Sequence, residues 1–170
     1  MTAPSLSPPL SASLSPPLSA SVSRRRAAAL GALALFLALG ACAGPTPPPP
    51  TTVALSLTGA PEMNGGFPVQ AKVFYLRSPA ALETADFFAV FQQPEATLGA
   101  DLIAAETHLL APGETLTAAQ SFDDAPAAIG VVAGFREIDG PGWQAVAPLA
   151  PQAANVVAVT IGADAVAIGQ

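Results

Sequence analysis

Six short extended runs, separated by turn sequences, make up the second half of the chain and limit its fold more than any other feature. Between several of these runs stand APGE, DDAP, DGPG and GAD, which are rich in residues that favour turns. Turns every 8 to 12 residues or so are typical of β-sandwiches. The sequence therefore predicts an all-β domain whose later strands are Asp101–Leu110, Thr115–Phe122, Ala128–Glu137, Trp143–Pro148, Asn155–Ile161 and Ala165–Ile168.

Two further strands are predicted before these runs. Thr52–Thr58 alternates, with Val53, Leu55 and Leu57 on one face. Val69–Arg77 carries polar residues at the start of one face, but Phe74 and Leu76 interrupt that face, so we expect its later part to be covered. The segment between the two strands is rich in glycine and proline and predicts a loop.

A helix is predicted after the second strand. Ser78 can cap a helix and Pro79 suits the first helical position. An apolar stripe of helical spacing follows and stops near Pro94. The sequence thus predicts one helix, with Phe88 and Phe91 packed on a sheet.

Residues 1–41 predict processing rather than folding. Residues 5–12 and 13–20 both read SLSPPLSA, an uncharged repeat that cannot build a core. Three arginines at 24–26 then precede an apolar run over residues 27–39, which is the order of a secretory signal peptide. As a helix this run would span about 20 Å, less than the roughly 30 Å core of a bilayer. The pattern leaves open whether translation starts at Met1 or near Val22.

The one cysteine of the sequence, Cys42, follows this run in the string LGAC. The string resembles a bacterial lipobox, which implies cleavage before Cys42 and acylation of that residue. Two or more acyl chains hold a protein stably on a membrane. Ala43 follows the cysteine instead of aspartate, which resembles the sorting pattern of outer-membrane lipoproteins and implies attachment to the periplasmic face of that membrane.

The segment after cleavage is expected to comprise a tether and one domain. Residues 42–52 include a run of prolines, and a polyproline spacer of ten residues reaches about 30 Å. The sandwich domain is expected to occupy residues 53–170. From Cys42 onward there are twelve acidic and three basic residues, a net charge of −9. Nucleic-acid binding needs clustered basic residues, so no such partner is expected.

Residues able to do chemistry are few and scattered. His108 and Glu106 could be two metal ligands on one strand face, but no third ligand follows at a suitable spacing, so a histidine at the surface or rim is preferred. Asp123 and Asp124 lack the alternating pattern of a calcium loop and are expected to bond to their own turn. No serine stands in a G-x-S-x-G motif. The sequence predicts no enzymatic activity, no metal and no cofactor.

Several stretches follow one another behind the lipobox in a recognisable order. They are residues 68–69 with 72–76, 85–88, 98–99 with 101–103, 110–114, 129–136 and Trp143. Together they resemble the TssJ family, outer-membrane lipoproteins of bacterial type VI secretion systems, over residues 53–161. The resemblance implies a transthyretin-like sandwich of two antiparallel sheets with one added helix.

The resemblance also implies a role and a contact site. TssJ lipoproteins hold the membrane complex of the secretion apparatus at the outer membrane by binding the periplasmic part of the inner-membrane protein TssM. That contact is attributed to the loop between the first two strands, here residues 60–67, which implies partner-binding residues Glu62, Met63, Asn64, Gly65, Gly66 and Phe67. Met63 and Phe67 are apolar groups in a loop, and such groups often contact partners when exposed. The alternative is that both tuck under the edge of the sandwich.

Two other functions remain open from the residues. A lipoprotein of this shape could bind a small ligand or a glycan, because sandwiches host many unrelated sites. A periplasmic hydrolase could use two of the twelve carboxylates. Loss of the secretion complex on deletion of the gene would favour the scaffold over both alternatives.

Overall fold

The computed structural model describes residues 47–169, which form eight strands and three short helices. Every predicted strand is present, and no end differs from the prediction by more than three residues. The strands are β1 (Thr51–Gly59), β2 (Val69–Leu76), β3 (Leu102–Leu110), β4 (Thr115–Phe122), β5 (Ala128–Gly134), β6 (Gln144–Pro148), β7 (Ala154–Ile161) and β8 (Val166–Gly169). The helices are α1 (Ala80–Glu83), α2 (Phe87–Gln92) and α3 (Pro94–Leu98).

The strands form two sheets that pack face to face, which confirms the predicted β-sandwich. One sheet has the order β4-β1-β7-β8 and the other has the order β3-β2-β5-β6. Neighbouring strands are antiparallel except β1 and β7, which are parallel. The parallel pair arises because the chain enters β7 at the same end of the sheet at which it entered β1.

The core between the sheets follows from the alternation of side chains along each strand. Val53, Leu55 and Leu57 share the inner face of β1, as predicted, and are at most 3% exposed. Burying side chains of this size contributes about 1.5–3 kcal/mol each. The neighbouring strand β7 adds Val157, Val159 and Ile161, and the facing sheet supplies Val69, Ala71, Val73, Tyr75, Ile129, Val131 and Ala133.

The first strand begins before the expected domain boundary at Val53. Thr51 is buried and pairs with Phe122. Its Oγ1 accepts a hydrogen bond of 2.7 Å from the backbone N–H of Gln152. Thr51 and Thr52 therefore belong to the sheet, and the described part of the tether is the exposed stretch Pro47–Pro50.

The helical segment differs from the single predicted helix because two residues interrupt it. Asp86 is extended and accepts hydrogen bonds from the backbone N–H groups of Phe88 and Ala89, at 3.0 and 3.2 Å, so it caps a new helix. Pro94 then opens α3. Because α2 is a separate helix, its side chains point in other directions than they would in one continuous helix. Val90 is therefore fully buried, while Phe88 is 54% exposed. The prediction that Phe88 packs on the sheet is wrong, and Phe91 is half-buried against it.

These helices cover the outer face of the second sheet. Phe74 and Leu76 of β2 are fully buried and pack with Leu82, Val90 and Leu98 of the helices. The predicted cover over Phe74 and Leu76 is therefore confirmed. No comparable layer is formed by the described residues over the outer face of the first sheet, where Val156 of β7 is 73% exposed.

Candidate functional site

The loop between β1 and β2 is fixed to the sandwich by its two buried residues. Met63 is 0% exposed and packs in the main core, while Asn64 is 7% exposed. Both lie in a short 3-10 segment, Met63–Gly66. The two buried side chains therefore fix the conformation of the loop, and its exposed residues form a surface of defined shape.

Asn64 joins three loops at this end of the sandwich. Its Oδ1 accepts a hydrogen bond of 2.8 Å from the backbone N–H of Arg136, in the loop after β5. Its backbone N–H donates to the carbonyl of Ala163, in the loop between β7 and β8, at 3.0 Å. Its Nδ2 donates to the carbonyl of Pro68 at 3.3 Å. Asn64 adopts a φ of 50°, a left-handed conformation that asparagine tolerates better than most residues.

The two glycines after Asn64 continue this left-handed turn. Gly65 and Gly66 have φ values of 66° and 84°, and a Cβ at either position would meet no atom within 4 Å. Glycine is thus required there by backbone conformation and not by lack of space.

Phe67 is the apolar group that this loop presents at the surface. Phe67 is 52% exposed as a residue, and the guanidinium of Arg136 lies 4.4 Å from the ring centroid. A cation–π contact of this kind contributes about 0.5–1 kcal/mol at an exposed site. The contact favours the observed position of the ring and leaves about half of Phe67 exposed.

Two adjoining clefts open beside Phe67. The first has a volume of about 450 Å³ and is lined by Asn64, Gly65, Phe67, Phe135, Arg136, Glu137, Ala163 and Asp164. The second, of about 430 Å³, is lined by Glu137, Asp139, Gly140, Gly142, Asp164 and Ala165. The end of the sandwich is therefore a three-loop surface, with one apolar ring, one guanidinium and an acidic rim. We refer to it as the loop end.

The structure separates the six predicted partner-binding residues into two groups. Glu62, Gly65, Gly66 and Phe67 are exposed, whereas Met63 and Asn64 are buried. The expectation that Met63 offers an apolar surface is therefore wrong, because its side chain anchors the loop in the core. Contact of the exposed residues with a partner stays a prediction.

Sequence reasoning missed the two loops that complete this surface. Arg136 follows β5 and Asp164 lies between β7 and β8, 72 and 100 positions from Asn64. Arg136 is the one lysine or arginine after Arg77 in the sequence, and this isolation is the feature by which the sequence could have indicated a functional residue. Nothing local in the sequence indicates that these loops meet.

Cys42 and the predicted signal peptide lie outside the described residues. Within residues 47–169, none of the helices is long and apolar enough to cross a bilayer.

His108 lies on the edge strand β3, beside residues of β1 and β4 and next to Glu106, which places it at the rim of the sandwich as predicted. The His108 Nε2 and the Glu106 Oε2 are 3.0 Å apart, and both side chains are partly buried. Glu106 also lies near the phenol of Tyr75, and burial, followed by the charge of Glu106, raises the pKa of Tyr75 above its ordinary value. No group of three or more potential metal ligands occurs among the described residues.

The aspartates of the DDAP turn behave differently from the prediction. The Asp124 carboxylate forms an ion pair with Arg77, including a hydrogen bond of 3.1 Å from Nη1 to Oδ1. Asp124 therefore ties its turn to the end of β2 and does not satisfy its own backbone. Both side chains are more than half exposed, so the pair contributes at most about 1 kcal/mol.

Comparisons with known proteins bear on the fold and the family. The model of a family described as type VI secretion lipoprotein, VasD, EvfM, TssJ matches residues 51–164. The structure of the T6SS lipoprotein TssJ1 from Pseudomonas aeruginosa is 31% identical, covers 71% of this chain and 96% of its own, and superposes with a TM-score of 0.68. A search of curated proteins gave no match.

Two further solved structures share the fold at lower identity. Serratia marcescens Lip, a membrane-bound component of the type VI secretion system, is 23% identical, with 71% and 97% of the two chains covered and a TM-score of 0.65. A chain in the structure described as the T6SS protein TssM C-terminal domain (869–1107) from EAEC is also 23% identical, with 70% and 98% covered and a TM-score of 0.56.

Proposed function

This chain belongs to the type VI secretion lipoprotein family that includes TssJ, and from that premise we propose that it is a scaffold of the secretion membrane complex. It is anchored in the outer membrane through acyl chains on Cys42. Its loop end binds the periplasmic domain of a TssM-like inner-membrane protein. The function is mechanical, and no reaction is catalysed.

The placement of the tether supports this arrangement. The tether runs into the first residue of β1, while the loop end starts directly after the last residue of β1. A strand of nine residues spans about 30 Å. The loop end therefore lies roughly 30 Å from the point where the tether joins β1. At the loop end, a partner that crosses the periplasm can reach the protein.

The observation that carries the proposal is the state of Phe67. It is a half-exposed aromatic ring that contacts Arg136 and stands on a loop that Met63 and Asn64 fix to the core. Pre-formed aromatic groups are typical anchors of protein interfaces because little side-chain entropy is lost on binding. A surface of about 800 Å² per partner would be enough, since confinement to a membrane raises the effective concentration.

Support for the partner comes from the family and from one related structure. A chain with the same fold occurs in the structure of a TssM C-terminal domain. Neither cleft is lined by a serine, cysteine, lysine or histidine, so the catalytic alternative that the lining leaves is a hydrolase using two of the carboxylates of Glu137, Asp139 and Asp164.

The test is capture of the periplasmic domain of the TssM-like protein by the full-length lipoprotein. Burying the exposed half of a phenylalanine, about 100 Å² of apolar surface, contributes about 2.5 kcal/mol. We therefore expect Phe67→Asp to weaken binding by about 100-fold or more. Phe88→Asp is the matched control, because Phe88 is exposed to a similar extent, 54%, but lies on α2. Equal capture by the two variants would refute the assignment.

The anchor requires a separate test. Cys42→Ser removes the thiol that acylation needs, so the protein should appear in the soluble periplasmic fraction and the secretion complex should not assemble. Membrane association of the variant together with normal secretion would contradict the proposal.

A further inference from the structure

Four strands lie at the edges of the two sheets that the described residues form, β4 and β8 in the first sheet and β3 and β6 in the second. The open edge of a strand presents backbone N–H and C=O groups to which another extended chain can bond. Proteins protect such edges with short strands, proline, irregular pairing or charged side chains that point inward. Three of the four edges have protection of this kind.

Each of these three edges is protected in its own way. β8 has four residues and leaves only the first four residues of β7 open. β6 has five residues and ends at Pro148. β3 carries Glu106 and His108 on the face that it turns toward the first sheet, and its pairing with β2 shifts in register next to Leu76. Strand addition is therefore disfavoured at all three.

The edge of β4 has none of these features. Its eight residues, TLTAAQSF, include no charged residue and no proline, and they pair with β1 without a shift in register. Within the described part of the chain, β1 is the one strand that pairs with β4. Alternate residues of an antiparallel strand direct their backbone groups away from the partner, so about four residues of β4 offer both groups at the open edge. Such a row of backbone groups selects an extended polypeptide as its ligand.

A small pocket lies directly beside this edge. Its volume is about 110 Å³, below the roughly 300 Å³ at which small-molecule sites begin. The pocket therefore has room for one aliphatic side chain. In strand addition, backbone hydrogen bonds supply affinity and side-chain pockets supply specificity. Its lining is mostly apolar and consists of Leu55, Leu57, His108, Leu116, Thr117 and Ala118.

The edge of β4 starts at the same end of the sandwich as the loop end. The turn before β4 is bonded to the last residue of β1, because the Gly113 N–H donates to the carbonyl of Gly59 at 2.8 Å. From there β4 runs antiparallel to β1, toward the end at which the tether enters. A partner that is bound at the loop end and continues toward the anchored membrane therefore passes along this edge.

We propose that the edge of β4 binds, by strand addition, an extended segment of the partner that the loop end holds. This inference rests on the function proposed above. The segment places one aliphatic side chain in the pocket between β3 and β4. It is neutral or basic, since the chain from Cys42 onward has a net charge of −9 and repels acidic segments.

Hydrogen exchange tests the pairing, in the complex of the full-length lipoprotein with the periplasmic domain of the TssM-like protein. Amides of β4 at the open edge exchange fast in the free protein, because no hydrogen bond protects them. We expect about four amides within Thr115–Phe122 to exchange at least about tenfold more slowly in the complex. Exchange from β6, a protected edge, should not change. A complex in which exchange from β4 is unchanged overturns this proposal alone, whereas the absence of any complex overturns the loop-end proposal as well.

A pair of alanine substitutions tests the pocket. Ala118→Leu fills the pocket that Ala118 lines, and Ala119→Leu is the matched control, because Ala119 is exposed on the opposite face of the same strand. We expect Ala118→Leu to weaken capture of the periplasmic domain about tenfold or more and Ala119→Leu to leave it unchanged. Urea unfolding checks that both variants are folded, and if Ala118→Leu is not, the exchange measurement on the unsubstituted chain decides. Equal capture by the two folded variants would overturn the proposal, since no side chain would then enter the pocket.

Discussion

Asn64 gives a quantitative test of how the loop end is held together. Asn64→Ala removes two side-chain hydrogen bonds, one to the backbone N–H of Arg136 and one to the carbonyl of Pro68. Both bonds are partly buried, and a bond of this kind contributes about 1 kcal/mol. Alanine at a φ of 50° adds about 1 kcal/mol of backbone strain. The expected loss of stability is about 3 kcal/mol in total.

Asn64→Gly separates the two contributions. Glycine loses the same hydrogen bonds but tolerates positive φ, so the expected loss is about 2 kcal/mol. With a urea m-value of about 2 kcal/mol per molar, the unfolding midpoint should fall by about 1.5 M for alanine and about 1 M for glycine. Equilibrium unfolding followed by circular dichroism measures both values.

Gln152 provides the control for the backbone contribution alone. It also has a positive φ, 56°, and its backbone N–H, not its side chain, donates the hydrogen bond to Thr51. Gln152→Gly should therefore be more stable than Gln152→Ala by about 1 kcal/mol, the same gap as at position 64. A loss below about 0.5 kcal/mol for both Asn64 variants would refute the reasoning, because the side chain would then hold nothing together.

Three further substitutions test the sandwich and its helices by urea unfolding. Gly59→Ala should destabilise the domain by about 1–3 kcal/mol, because its Cβ would lie 2.7 Å from the carbonyl oxygen of Ala111; an unchanged midpoint would show that the strand end can move. Asp86→Ala should lose about 1 kcal/mol by removing the cap of α2, whereas Asp86→Asn should stay close to wild type; equal losses would exclude capping as the cause. Tyr75→Phe should be neutral or stabilising, since the buried hydroxyl makes no hydrogen bond of ordinary geometry to a described residue. Burial raises the pKa of Tyr75, so above about pH 10 the phenol stays protonated in the folded state but loses its proton in the unfolded state. The free energy of unfolding of the wild type should therefore fall above about pH 10 by more than that of Tyr75→Phe.

The strands could be predicted because the evidence for them is local. Alternation in β1 placed Val53, Leu55 and Leu57 on the core face, and the turn sequences fixed the ends of the later strands to within three residues. The helical segment could be predicted only in part. Its stripe was visible, but the competing cap at Asp86 changed its phase, and that placed Phe88 in solvent and Val90 in the core.

The candidate site could likewise be predicted only in part from the sequence. Phe67 and the glycines beside it were visible as a turn with an apolar residue. The burial of Met63 was not, because loop residues give no periodic pattern from which to infer a buried side. Arg136 and Asp164 could not be placed beside the loop, since no local feature records which distant turns meet at one end of a sandwich.

The sequence by itself determined the β-class of the domain, the inner faces of the first two strands and the family pattern, because alternation and turn chemistry act between near neighbours. Tertiary structure alone decided that β1 and β7 run parallel, that three loops converge on Asn64, and that β4 lies at an open sheet edge. Those features depend on contacts between residues about 70 to 100 positions apart. Such contacts are set when the two sheets pack and bury their shared core, and only then does the chain acquire a surface for a partner.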